Sequence, residues 1–207
     1  MRSLEKFLSL PIEKQKVIVD AALRAFGANG YKKASISDIA AAAGISKAMV
    51  FHYFGTKKAL YLYLINLCGN IIINEVKEKF DNSITDFFDR IKMSSDIELS
   101  VMKRHAAIPS FLTSVYFEKD EEVKDDIKAI LDSGEDFRNK IAFDGMDTSK
   151  FKEGVDLKLL MKMLMWMVDG YAKQLSNETE IDFDTMLDEF NECLDMLKNN
   201  FYKKEYL

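Results

Sequence analysis

Apolar residues recur along the chain at the three- and four-residue spacing of amphipathic helices, and this pattern predicts the elements in order. Residues 12–28 form a first helix with Val17, Ile18, Ala21, Ala22, Ala25 and Phe26 inward, terminated by Gly27 and Gly30. Two short helices follow within 35–54. A long helix runs over 59–80, with Leu60, Leu64, Leu67, Ile71 and Ile72 toward the body. Helical patterns then cover about 84–93, 96–117 (broken or kinked at Pro109) and 121–143, the last carrying Val123, Ile127, Ile130, Leu131, Phe137 and Ile141. Beyond a loop over 144–154 lie a strongly apolar helix, 155–175, and a last one from an Asp182 cap to about Tyr202. The expected fold class is all-α.

The stretch from Ser35 to Lys57 carries the most local information. Ser35 suits an N-cap, and Asp38 three residues on completes a capping box and favours the positive end of the helix dipole. Ile36, Ile39, Ala40 and Ala43 give one apolar face, and Gly44 ends the helix as a left-handed C-cap. Ile45 anchors a tight turn, and Ser46 caps a second helix that runs to about Phe54. Small alanines on the first helix let the second cross it closely, which is a helix-turn-helix.

On that second helix the period places Val50, Tyr53 and Phe54 on one side, with Met49 at the edge. Lys47, Ala48, Phe51 and His52 share the other side. A lysine, an aromatic, a histidine and a small residue on one outward face suit entry into a major groove. There lysine meets guanine edges or phosphates, and apolar groups touch thymine methyls.

Residues 12–60 resemble the DNA-binding domain of TetR-family transcriptional regulators. The marks are Ala21-Ala22, Phe26 and Gly30-Tyr31, then Ser35-Ile-Ser-Asp-Ile-Ala and Ala43-Gly-Ile-Ser-Lys, then Phe51-His-Tyr-Phe and Thr56-Lys-Lys-Ala-Leu. The resemblance stops near residue 65. It implies an N-terminal three-helix helix-turn-helix domain (1–58) joined by the long helix to a helical ligand-binding and dimerisation domain (59–207). Carried over position by position, it implies DNA contacts from Ser35, Ser37, Lys47, Ala48, Met49, Phe51, His52, Tyr53 and Lys57. Phe51 departs from the tyrosine usual at its place, so a hydroxyl contact to phosphate is replaced by packing or lost. Tyr53 reads as half core, and Met49 as groove or core. Lys32 and Lys33 fit either phosphate contacts or solvated lysines.

Charge supports one end meeting a polyanion. Residues 1–60 hold ten Lys or Arg against four Asp or Glu, whereas the remainder holds 19 against 30. A basic module on an acidic body is the asymmetry expected of a nucleic-acid binder. With 207 residues, 48% hydrophobic content, two prolines and nine glycines, the chain supports a substantial core without staples. Cys68 and Cys193 lack metal or disulfide spacing, so no metal and no cofactor is expected and a cytoplasmic location is. No run of eighteen uninterrupted apolar residues suggests a membrane span. Neither GxSxG, HExxH nor a phosphate-binding glycine loop occurs, which argues against an enzyme.

The helix Leu159–Tyr171 is apolar nearly all round apart from Lys162 and Asp169, so it needs cover on both sides. It is either a central core helix or, as the resemblance favours, part of a four-helix homodimer interface with the last helix. A twofold dimer places two recognition helices on a palindromic double-stranded operator. Eleven methionines and fifteen phenylalanines fit an adaptable apolar cavity as well as ordinary core. The candidate pocket for a small-molecule, apolar effector is Met102, His105, Phe111, Tyr116, Phe137 and Trp166. Together these readings describe a ligand-responsive homodimeric regulator, more readily a repressor. The alternative is an architectural, sequence-blind DNA-binding module without effector control.

Overall fold

The computed structural model describes residues 2–175 and 182–207. It contains α1 (Arg2–Leu8), α2 (Ile12–Lys33), α3 (Ile36–Ala42), α4 (Lys47–Phe54), α5 (Lys57–Lys79), α6 (Phe87–Arg104), α7 (Ile108–Tyr116), α8 (Lys124–Phe143), α9 (Leu157–Leu175) and α10 (Phe183–Phe201). Among the described residues there is no strand, only an antiparallel bridge between Phe151 and Tyr202. The all-α class holds.

The chain packs as two compact units that interleave in sequence. The first is Met1–Ile71 with His105–Gly134, and the second is Ile72–Arg104 with Glu135–Leu207. Helices α5 and α8 therefore contribute residues to both.

The first unit has an apolar, largely aromatic core. Phe26 lies against Tyr61 and Phe111, with ring centroids 4.9 and 6.5 Å away. The sequence pattern did not anticipate α1, whose Phe7 is fully buried. Its ring meets Phe54 at 4.8 Å, Tyr63 at 5.7 Å and Tyr53 at 6.1 Å, so α1 braces the inner side of α4. Val17, expected inward, is half exposed. Gly27 does not end α2. A Cβ there would come within 2.9 Å of Ser110 Oγ and 3.1 Å of the Phe111 backbone nitrogen, so this glycine permits α7 to lie against α2.

The helix break expected at Pro109 falls one turn earlier, between Arg104 and Ile108, and α6 runs through 93–96 without interruption. A proline ring clashes with the carbonyl four residues back, so Pro109 is tolerated only in the first turn of a new helix.

In the second unit, buried charges join an aromatic core of Phe87, Phe88, Phe151 and Tyr202. Arg90 is 1% exposed; its Nε donates to the Ile141 carbonyl at 2.8 Å and its Nη1 to that of Ile84 at 2.5 Å. The guanidinium also covers the Phe80 ring at 4.9 Å. Asp86 is buried between Lys150 at 3.0 Å and Lys198 at 3.1 Å. Burial pushes its carboxyl upward, but these two ammonium groups and the Asp89 N–H hold it below the usual range. The last helix starts at Asp182 as expected, its carboxylate accepting from Asp184 and Thr185 N–H at 3.1 Å each.

Helix α5 is the one helix among the described residues long and apolar enough to cross a membrane. Its Leu60, Tyr61, Leu64, Ile65, Cys68 and Val76 are buried in protein. Burial also pushes the Cys68 thiol up to about 12, which leaves it inert at neutral pH.

Candidate nucleic-acid interface

Local chemistry sets the two short helices. Ser35 Oγ accepts from the Asp38 N–H at 3.3 Å and Ser46 Oγ from the Met49 N–H at 3.2 Å, so both take the N-cap role their positions imply. Gly44 turns the chain with φ +65°. Ile36, Ile39, Ala40, Ala43, Val50, Tyr53 and Phe54 close the space between α2, α3, α4 and α5.

With that side buried, α4 presents Lys47, Ala48, Phe51 and His52 outward, all exposed, Phe51 by 39%. An exposed phenylalanine between a lysine and a histidine has no packing role in the unit, and it offers an apolar contact to a groove. Ser37 is exposed on α3, while Ser35 and Met49 are half-buried. Tyr53 sits differently: it is 4% exposed, its ring against Phe7 and His52. Its side chain is a core anchor of α4, and at most its edge is available beyond the core.

Lys57 opens α5, whose first turn is capped by Thr56 Oγ1 accepting from Ala59 N–H at 3.0 Å. Its Nζ donates to the Lys32 carbonyl at 3.1 Å and lies 5.0 Å from the centroid of the Tyr31 ring. The ammonium is thus held at the junction of α2 and α5, with Lys32 and Lys33 exposed beside it in sequence. Lys58 instead pairs with Asp126 at 2.7 Å. Part of the amino-terminal charge excess is therefore neutralised within the unit, while Lys47 stays on the exposed side of α4.

The pocket candidates are divided between the two units. Phe111 is fully buried core of the first unit, packed on Phe26 and Tyr61. His105 and Tyr116 belong to the same unit but are exposed. Met102 and Phe137 are half-buried in the second unit, where Phe137 packs beside Val76, Phe80 and Ile97 and carries Lys77 over its ring at 5.9 Å. Trp166 is 56% exposed, with Lys162 over its ring at 5.2 Å. Within neither unit do the six line one cavity. The break before α7 separates residues that one kinked helix would have kept adjacent.

The site also uses residues not singled out from sequence. Phe7 supports α4, and the Glu118 carboxylate accepts from the Tyr31 N–H. The i, i+3, i+4 set Leu4, Phe7 and Leu8 was a signal for α1, but no local signal joined residue 31 to residue 118.

Comparison with known proteins agrees with this geometry. The profile of bacterial regulatory proteins of the tetR family matches residues 18–64. The HTH-type transcriptional regulator BetI of Agrobacterium fabrum is 48% identical over 52 residues, a quarter of each chain. The fatty acid metabolism regulator protein of Bacillus subtilis is similar nearly end to end. It is 22% identical over 202 residues, 92% of this chain and 97% of its own. A solved structure of the transcriptional regulator FadR from Bacillus subtilis in complex with stearoyl-CoA superposes with a TM-score of 0.72 at 20% identity. It covers 86% of this chain and 96% of that one. The likeness in fold thus extends well past residue 65, where the sequence resemblance fades.

Proposed function

Since the chain belongs, through its amino-terminal module, to the TetR family of transcriptional regulators, we propose that it acts as a homodimeric, effector-controlled repressor that reads a palindromic operator. The family and the fold are those of transcriptional regulators and not of enzymes. The observation that carries the proposal is the division of α4. One side is locked in the core by Val50, Tyr53 and Phe54, and the other offers Lys47, Ala48, Phe51 and His52 to solvent. Lys47 and His52 supply hydrogen-bonding groups for base edges or phosphates, and Ala48 and Phe51 supply apolar contact with close approach. Ser35, Ser37, Met49, Lys57 and the edge of Tyr53 complete the set of proposed contacts.

Residues 1–58 form the DNA-binding part of this proposal, and 59–207 the effector and dimerisation part. Support for a dimer lies on α9. Its solvent side carries Leu159 and Trp166, 49% and 56% exposed, seven residues apart on one stripe with Gly170. On α10, Met196 is 59% exposed. A twofold pairing of these helices would cover the patch. The effector we propose is a small molecule with a substantial apolar part, binding in the second unit, where Met102 and Phe137 are the candidates retained. A cytoplasmic location goes with this role. Binding the effector better in one of two states shifts the equilibrium away from the operator-competent one.

Selection from a random duplex pool, followed by titration of the winner with salt and with stearoyl-CoA, tests the proposal. A palindromic winner that outcompetes random DNA at moderate salt supports it. Binding that follows ionic strength alone, without enrichment, supports the architectural alternative. A winner that stearoyl-CoA leaves bound keeps the operator and removes that effector class. Trp166→Ala is expected to lower the dimer fraction in sedimentation; an unchanged dimer places the interface elsewhere.

A further inference from the structure

Within the first unit, the segment that follows α7 grips the end of α2 at an unusual point. At Gly30 the backbone leaves helical geometry with φ +68° and ψ 177°, the left-handed side on which a side chain is strained. The next N–H, of Tyr31, is met by Glu118 Oε2 at 2.7 Å. The other oxygen of the same carboxylate accepts from the Lys119 and Asp120 N–H groups at 2.9 Å each, which fixes it in place. A Cβ at Gly30 would lie 3.3 Å from Glu118 Oε2, so the glycine is also what lets the carboxylate approach. The Tyr31 phenol is buried, and that burial, with the carboxylates of Glu122, Asp120 and Glu118 nearby, pushes its ionisation upward. One turn earlier, Ser114 Oγ donates to the Phe26 carbonyl at 3.1 Å.

Tyr31 in turn is tied to Lys57, one of the proposed DNA contacts. Lys57 Nζ sits over its ring and donates to the carbonyl of Lys32, while the Ala34 N–H closes onto the Gly30 carbonyl at 3.3 Å just before the Ser35 cap. The kink therefore sets both where α3 begins and where the Lys57 ammonium points.

We propose that Glu118 is a positioning residue. Its carboxylate clamps Tyr31 at the backbone N–H, and so holds the helix-turn-helix and Lys57 in the geometry that discriminates an operator. This rests on the DNA-binding reading above and adds a point of control to it. The clamp comes from the α7–α8 connection, and α8 continues into the second unit. A change that withdraws residues 118–122 from Tyr31 releases the kink without unfolding the motif. The clamp is ordinary hydrogen bonding between a carboxylate and backbone donors, which are among the stronger bonds available.

The test uses the full chain, the duplex selected by the wild-type protein, and a random duplex of equal length. Glu118→Ala is expected to weaken binding to the selected duplex at least tenfold. Binding to the random duplex should stay within twofold at the same salt slope, and the thermal midpoint within a few degrees. Glu118→Gln keeps an acceptor for the Tyr31 N–H and should restore most of the loss. Amide hydrogen exchange at Tyr31, read without DNA, should accelerate at least tenfold in Glu118→Ala. Unchanged exchange there overturns the clamp whatever the DNA results are. Accelerated exchange with an equal loss on both duplexes overturns its role in discrimination. A wild-type protein that selects no duplex overturns the DNA-binding reading instead, and the exchange result still decides the clamp.

Discussion

The two units solve the problem of holding helices together in different ways. In the first, α1, α2, α4, α5 and α7 meet through rings and small residues: Phe7, Phe26, Tyr53, Phe54, Tyr61 and Phe111, with Gly27 and the alanines of α3 between them. Polar groups there work at helix ends, with Ser35, Ser46 and Thr56 as caps, and at the Gly30 kink, where Glu118 accepts from Tyr31. In the second, charges enter the interior: Arg90 clamps two carbonyls, and Asp86 gathers Lys150 and Lys198. An apolar core fixes shape through packing and is insensitive to pH, whereas a buried ion cluster depends on every partner being present and charged. Under the proposed effector control, the apolar unit would keep its shape while the charged one offers contacts that can be altered.

The largest expected effect strikes the charged interior. Asp86→Asn leaves two lysines facing a neutral amide and should cost about 3 kcal/mol, the order expected when one partner of a buried ion pair is removed. Because the Asp86 carboxyl is held below its ordinary value in the folded state, its stabilisation is present at neutral pH. It is lost as the pH falls below the ordinary carboxylate range. Urea melts of wild type and variant should thus converge in acid. A gap that stays constant into acid would mean that packing, not charge, is what the substitution removes.

In the apolar unit the sensitive point is close approach. Gly27→Ala forces a methyl into Ser110 Oγ and the Phe111 backbone and should destabilise by about 1–3 kcal/mol, with no dependence on pH. An equal or stabilised midpoint would show that α7 can shift away freely. Smaller again is Ser46→Ala, which removes the cap of α4 and should cost about 1 kcal/mol. Its operator affinity should fall with it, because the start of the reading helix frays. A stability loss with unchanged affinity would separate the cap from the reading surface.

The legible parts of this fold were local ones. Each cap at Ser35, Ser46, Thr56 and Asp182 is written within three residues of the N–H that donates to it. The outward set Lys47, Ala48, Phe51 and His52 follows from the period of one short helix. Tyr53 was only half legible, because its burial depends on Phe7, 46 positions away, and nothing local links the two. Arg90 and Asp86 look like surface charges in sequence, and only contacts across 51 and 64 positions make them interior. Phe111 drew attention as a pocket residue because its neighbours in sequence lie across a helix break. Its neighbours in space are Phe26 and Tyr61.

The central claim is that the exposed side of α4 reads bases. It is tested most directly by measuring Lys47→Ala against the selected duplex and a panel of its single base-pair variants, at one salt concentration. If Lys47 contacts a base edge, discrimination at one position of each half-site falls by about 1–3 kcal/mol while the other positions keep theirs. A loss spread evenly over every duplex, with a shallower salt slope, would make Lys47 a phosphate contact and contradict the claim for that residue.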